Sequence, residues 1–597
     1  MAVQKGIKIR RRHKKPANEN SIQIVSPEII AQREKYFGIL TIVVLFAFGV
    51  YHSILYFGHT AVPNSDFPAF FSTGRQLLSF HIPSSFKRVP VLGILQVLLS
   101  WIIGGQHPGL TAGWLLNAIL HPFNLILLWL ICRKFVGKSG LWIAIIAILN
   151  PMVIYLLTEP IVETTFLFFI LLTFYFILKN SRWSYLFASI ATMTRYEGAA
   201  LILAAFIIDM INSKTKQERF RIFLYSALAA TPVAIWMVGI LMTPHAESYL
   251  TVYGKEYAKL YAQPEESRTG FFMNLGVLWE TGFQPLLIPF FSDNSEDINM
   301  VWGLSKFFAI MGFAFGSIYG LFKRRWEVLA LLIFLISYFA IHLKFPVQYS
   351  RYYMPISWVA LLLCWFGLQN IWNLLNKNRR IPKPIIFLLQ AIILTITIIW
   401  LISLPLSLPK LTPASAVSVS MPYVAIVVVL LLLAGRTYIY KIKNIFSQVV
   451  ILAVLGLIIA SNQFILAPTL GNGQRDIEFK LLGNWYVANA KPGEKMGLFL
   501  SHVVQIYAPK YADNLVYLPT SDNPVNFVKA CYDANITYVV WASREGLSRD
   551  ASYHQTNLDK NIAMLREPKS IGPYEYITTI KANQYRYVNI FRLKPRP

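Results

Sequence analysis

Hydrophobic residues run on through most of the first 466 positions, with neither the one-sided period of an amphipathic helix nor the alternation of a half-buried strand. Runs of about 20 residues, coiled as α-helices, match a hydrocarbon core about 30 Å thick. Thirteen such spans are predicted, at 37–57, 111–131, 140–157, 160–178, 183–194, 196–211, 220–243, 302–322, 327–344, 353–373, 383–404, 420–435 and 446–466. The stretch 183–194 is short for a crossing, so that hairpin is expected to tilt or re-enter. Residues 89–104 are equally apolar but are bracketed by Pro90 and Gly104-Gly105. They are expected to lie along the membrane surface, a full crossing being the alternative. After Leu466 the pattern shortens. Lys495–Leu500, Asn514–Leu518, Ile536–Trp541 and Tyr587–Leu593 read as strands, and Asp476–Asn489 and Pro524–Ala534 as helices. A segment of about 130 residues suffices for one α/β domain with its own core.

Composition supports a polytopic membrane protein. Of 597 residues, 55% are hydrophobic and only 14% charged, against about 25% charged in soluble chains. With 15% aromatic residues the chain can bury more surface than a disordered one. Three cysteines, Cys132, Cys364 and Cys531, are too few and too scattered for a disulfide framework or a zinc site.

The net charge of +26 would suggest nucleic acid in a soluble protein, but in a membrane protein it follows topology. With the N-terminus inside, the cytoplasmic segments carry twenty-eight basic residues, against ten in the opposite loops before the tail. The expected organisation is therefore a basic cytoplasmic tail over 1–36, a transmembrane domain over 37–466 and an extracytoplasmic α/β domain over 467–597. The run Arg10-Arg11-Arg12-His13-Lys14-Lys15 reads as an orientation anchor near anionic lipids, and no nucleic-acid partner is expected. The first span is expected to act as an uncleaved anchor. The absence of an internal repeat counts against transporters built from duplicated halves.

Ionisable residues at membrane depth are costly and mark functional candidates. In this topology Asp66, Glu159, Glu163 and Glu197 come to the outer side, as do Lys87, Arg88, Arg195, Lys344 and Arg351. Carboxylates and cations converging at one leaflet suit acid–base chemistry on a lipid-linked anionic leaving group. Each residue has a plainer alternative. Asp66, before an expected helix over Phe67–Phe80, is also a favoured N-cap. Glu159 and Glu163 are four apart, so they are expected to share a helix face near its start, with Pro160 in the first turn. Arg195 and Glu197, two apart, cannot pair across a helical turn. Either arginine could instead reach the interface as a snorkelling side chain. No His-Glu-x-x-His, paired Cys-x-x-Cys or Gly-Lys-Ser/Thr loop is present, so neither a metal nor direct ATP use is predicted.

These segments resemble the GT-C glycosyltransferases. The likeness lies in an acid in the first outer loop (Pro63-Asn64-Ser65-Asp66-Phe67-Pro68), the Arg88-Val89-Pro90 segment and the acidic turn Thr158-Glu159-Pro160-Ile161-Val162-Glu163. Thr194-Arg195-Tyr196-Glu197-Gly198, Arg351-Tyr352-Tyr353-Met354-Pro355 and the outer C-terminal domain extend it. The nearest branch is that of protein O-mannosyltransferases and aminoarabinose transferases, glycosyltransferase family 39-like. There are departures: Phe67 stands where the mannosyltransferases pair Asp with Glu, and neither His-Pro-Asp-Glu nor Trp-Trp-Asp-Tyr-Gly occurs.

The resemblance implies an all-α membrane domain of about thirteen helices carrying a C-terminal α/β domain, in a prokaryotic plasma membrane. It also implies inverting transfer from a polyprenyl-phosphate sugar to a hydroxyl of a lipid, glycan or protein, with no cofactor beyond the donor. Asp66 would be the general base and Glu159 or Glu163 would orient the acceptor or tune that base. Arg88, Arg195, Glu197, Lys344, Arg351 and Tyr352 would bind substrate, and the outer loop 244–300 would close as a lid. A transporter or flippase of lipid-linked sugars is the alternative.

Overall fold

The computed structural model describes residues 27–64, 66–86, 88–148, 151–243, 247–248, 299–342, 350–377, 476–519, 521, 523–543, 561–584 and 586–596. The expected spans 383–404, 420–435 and 446–466, and Lys344, lie outside the described residues. So does the expected lid, apart from Glu247–Ser248 and the first residues of the helix that follows it.

Among the described residues before position 378, thirteen helices have eight or more residues. They are α1 (Pro27–Tyr56), α2 (Phe67–Leu78), α3 (Val91–Ile103), α4 (Pro108–Val136), α5 (Gly140–Ile148), α6 (Pro151–Thr158) and α7 (Val162–Leu178). They continue with α8 (Trp183–Thr192), α9 (Ala199–Asn212), α10 (Lys216–Met242), α11 (Asn299–Phe322), α12 (Trp326–His342) and α13 (Ser357–Lys377). Among the described residues four helical stretches are long and apolar enough to cross a membrane, namely Lys35–Tyr56, Pro108–Ser139, Lys216–Met242 and Arg351–Ile371. The protein is a membrane protein. Within the stretch 140–157, expected as one span, Gly140–Ile148 and Pro151–Thr158 are helical.

Two features position the site. Glycines let α2 lie flat on α3: a Cβ on Gly74 would fall 2.1 Å from the carbonyl carbon of Gly93. The amphipathic α2 thereby packs Phe70 and Thr73 inward. The helix α4 also sets two ends. It starts beside the C-terminal domain, where the His107 ring meets the Tyr507 ring at 5.3 Å. Its last turn carries Lys134, which lines a polar cleft with Arg182, Arg324 and Arg325. The basic cleft and the C-terminal domain are thus at opposite ends of the bundle.

The C-terminal domain has the elements α14 (Ile477–Asn489), β1 (Lys495–Leu498), β2 (Leu515–Tyr517), α15 (Pro524–Asp533), β3 (Ile536–Ala542), β4 (Tyr574–Lys581) and β5 (Tyr587–Leu593). Its sheet order is β2-β1-β3-β5-β4, parallel among the first three strands and antiparallel through the last two pairings. Successive residues of β3 face opposite ways: Tyr538 and Val540 pack with α14, Val539 with Phe527 and Cys531 of α15. Both faces are covered, which explains the continuous apolar runs of β3 and β5. The edge strand β4, Tyr-Glu-Tyr-Ile-Thr-Thr-Ile-Lys, was not expected, because half-exposed polar positions leave no such run.

Candidate active site

The pocket that holds the site is built from five separate parts of the chain before residue 378. Its wall includes Asp66, Arg88, Glu163, Arg195, Glu197, Arg351 and Tyr352. Asp66 stands at the N-terminus of α2, yet its side chain makes no capping bond. Its two oxygens are taken by arginines instead. Arg88 Nη2 donates to Oδ1 in a very short contact, and Arg351 Nη2 donates to Oδ2 at 2.9 Å. Arg88 also lies over the Phe70 ring, 5.3 Å from its centroid. All three charged groups keep about a fifth of their side-chain surface exposed, so they form the mouth.

A second charged layer is deeper. Arg195 donates from Nη1 to Glu163 Oε1 at 3.1 Å and from Nη2 to Glu197 Oε1 at 2.7 Å. The Arg195–Glu197 pair forms because Arg195 is extended and Glu197 sits in a 3₁₀ turn; residues two apart on an α-helix could not meet this way. The Arg195 guanidinium lies 5.1 Å from the Tyr352 ring centroid, and the Arg351 guanidinium lies 5.2 Å from the same ring. Tyr352 thus separates the two arginine layers. His342 Nε2 lies 3.3 Å from Glu197 Oε1. Glu163 is almost fully buried, and its Oε2 has no hydrogen-bond partner among the described residues.

Glu159 is elsewhere. The expectation that it shares a helix face with Glu163 is corrected: α7 begins at Val162, and Glu159 belongs to the turn before it, where the Ile161 N–H donates to the Glu159 carbonyl at 2.8 Å. Pro160 causes this, since it disfavours helical geometry in the residue before it. Glu163 remains in the first turn of α7. Glu159 does not line the pocket; its Oε2 accepts the Asn64 N–H at 2.9 Å.

Sequence reasoning missed His342, at the end of α12. A lone histidine in the apolar run Trp326–His342 was the available signal, since polar groups at membrane depth rarely lack a function. Among the described residues no group of three or more His, Cys, Asp or Glu side chains has metal-binding geometry.

No protein-family model matches the chain, and no curated protein matches it. Solved structures do. ArnT from Cupriavidus metallidurans in the apo state is 12% identical, with a TM-score of 0.51 over 94% of this chain and 98% of that one. The chain shares the fold of that ArnT. The same ArnT bound to undecaprenyl phosphate is 12% identical with a TM-score of 0.48, covering 92% of this chain and 97% of that one. An Archaeoglobus fulgidus oligosaccharyltransferase, in complex with Zn and sulfate, is 13% identical with a TM-score of 0.48, covering 90% of this chain and 72% of that one.

Proposed function

We propose that the protein is an inverting glycosyltransferase that moves a sugar from a polyprenyl-phosphate-linked donor to a hydroxyl of a lipid, glycan or protein acceptor on the outer face of the membrane. The observation that carries this reading is Asp66 held by Arg88 and Arg351 at the mouth of a pocket with buried Glu163 in its wall. A carboxylate can take the proton of an attacking hydroxyl, and two guanidiniums can hold a phosphate in charge-assisted, two-pronged bonds.

With both Asp66 oxygens occupied, neither can receive a proton until an arginine moves. The donor phosphodiester, whose two free oxygens share its negative charge, competes with the carboxylate for the same guanidinium donors and draws Arg88 and Arg351 to itself. One Asp66 oxygen then accepts the acceptor proton as the acceptor oxygen bonds to the sugar's anomeric carbon. The carbon–oxygen bond to phosphate breaks, its electron pair leaves on the phosphate oxygen, and the arginines stabilise that charge. Attack opposite the leaving group inverts the anomeric centre. The open Oε2 of Glu163 accepts a hydrogen bond from a substrate hydroxyl. Arg195, neutralised by Glu163 and Glu197, holds this wall in place.

Purified protein incubated with a panel of polyprenyl-phosphate sugars and acceptors tests the reading. Release of the lipid phosphate is expected from one donor class, and no release from any donor would overturn it. Arg351→Lys is expected to weaken donor use about tenfold or more, because lysine loses the planar fork. Wild-type donor affinity in that variant would remove Arg351 from the phosphate site.

The same reading places the N-terminus in the cytoplasm and residues 467–597 outside. Val525 is 78% exposed on the C-terminal domain. Val525→Cys should therefore react with a membrane-impermeant thiol reagent on intact cells, and labelling only after permeabilisation would invert the topology.

A further inference from the structure

Between two and six residues before Asp66, the first outer loop is gripped from two sides. On the outer side, Tyr507 of the C-terminal domain donates its hydroxyl to the Ala61 carbonyl at 2.7 Å, across 446 positions of sequence. Val62 is buried within that domain's own core, among Phe479, Leu482 and Tyr486. Tyr507 is itself fixed by close packing: a Cβ on Gly483 would come within 2.8 Å of its Cβ. On the inner side, Thr60 Oγ1 donates to Thr158 Oγ1 at 3.1 Å, and Glu159 Oε2 accepts the Asn64 N–H at 2.9 Å. The grip then passes directly to the base. Asn64 Oδ1 accepts the Asp66 N–H at 3.0 Å, and the Asn64 carbonyl accepts the Phe67 N–H at 3.0 Å.

We infer that Glu159 and Tyr507 are positioning residues, and that the C-terminal domain serves to hold the Asp66 loop in its working geometry. The inference rests on the transferase reading for its kinetic consequence, but not for its structural one. A loop that leads to a general base must fix that base within hydrogen-bond reach of the acceptor. Without the grip, residues 60–66 would spend part of their time in other backbone conformations, and Asp66 would move with them. The Glu159 carboxylate here acts as an acceptor for a backbone N–H. It needs neither a negative charge nor a transferable proton, which separates it from Asp66 and Glu163. Burial, and then the nearby Glu159 carboxylate, push the Tyr507 phenol's pKa up, so the hydroxyl keeps the proton it donates to Ala61.

The test uses the full-length protein in detergent and three variants. Glu159→Gln keeps an acceptor oxygen, Glu159→Ala removes it, and Tyr507→Phe removes only the hydroxyl while its ring still meets His107. Amide exchange over residues 60–66 is read together with transfer kinetics. Losing one such hydrogen bond should speed exchange there about fivefold in Tyr507→Phe, and more in Glu159→Ala, with strands β1 and β3 unchanged. Turnover should fall by about the same factor in each at unchanged donor KM, and Glu159→Gln should restore most of both. Glu159→Gln as slow as Glu159→Ala, with loop exchange normal, would overturn the positioning role in favour of acid–base chemistry. Unchanged loop exchange in Tyr507→Phe would overturn the role of the C-terminal domain. Loop exchange that changes as expected in a protein that transfers no sugar would support the grip and sink the transferase reading alone.

Discussion

Asp66→Asn is expected to abolish at least about 99% of sugar transfer, since general-base catalysis contributes on the order of 10²–10⁴-fold. The substitution keeps the side-chain shape and removes only the basic oxygen. The structure makes the test cleaner than the sequence did. Capping was the competing explanation for Asp66, but its side chain makes no capping bond, so α2 has none to lose. The ion pairs lost are to Arg88 and Arg351, which are partly exposed at the pocket mouth. An asparagine oxygen can still accept from one of these arginines, so the loss of thermal stability should be small beside the loss of transfer. Initial rates with saturating donor, read beside a melting curve, decide the matter. An Asn variant with normal turnover would move the base to Glu163, a pocket-lining carboxylate whose Oε2 has no hydrogen-bond partner among the described residues.

Arg195→Met is expected to act in the opposite way, mainly on folding. Arg195 is the guanidinium between Glu163 and Glu197, both buried beneath the mouth. Removing one partner of a buried ion pair leaves uncompensated charge and typically costs about 3–5 kcal/mol. Here one substitution strands two carboxylates. Their repulsion can be relieved only by proton uptake or by opening the pocket wall. Arg195→Lys should fall between, because one ammonium cannot reach both carboxylates as the planar fork does. Denaturant resistance in detergent, measured without substrate, is the readout. An Arg195→Met variant as stable as wild type would show that the buried layer is not held by this residue, and Arg195 would return as a candidate for the donor phosphate.

The sequence by itself determined the class of the protein and most of its elements. Continuous apolar runs of crossing length require helices, because a bilayer offers backbone groups no water to bond. The boundaries of α7, α8 and α12, and the strands β3 and β5, follow from that pattern and from short-range alternation. Of the charged residues expected to converge, Asp66, Arg88, Glu163, Arg195, Glu197 and Arg351 do line one pocket, while Glu159 does not and Lys344 lies outside the described residues. What they do to one another was not legible in the sequence. That Arg88 and Arg351 share Asp66, that Arg195 is spent on two glutamates, and that His342 supports Glu197 all depend on partners as far as 285 positions apart. Glu159 shows the limit most plainly. Spacing placed it on a helix with Glu163, but Pro160 broke that local rule, and only the packed loop and the C-terminal domain decided that its carboxylate faces Asn64. Local periodicity reports which surface a residue occupies. The pairing of charges is a long-range choice, settled by which loops the helices bring within a few ångströms of each other.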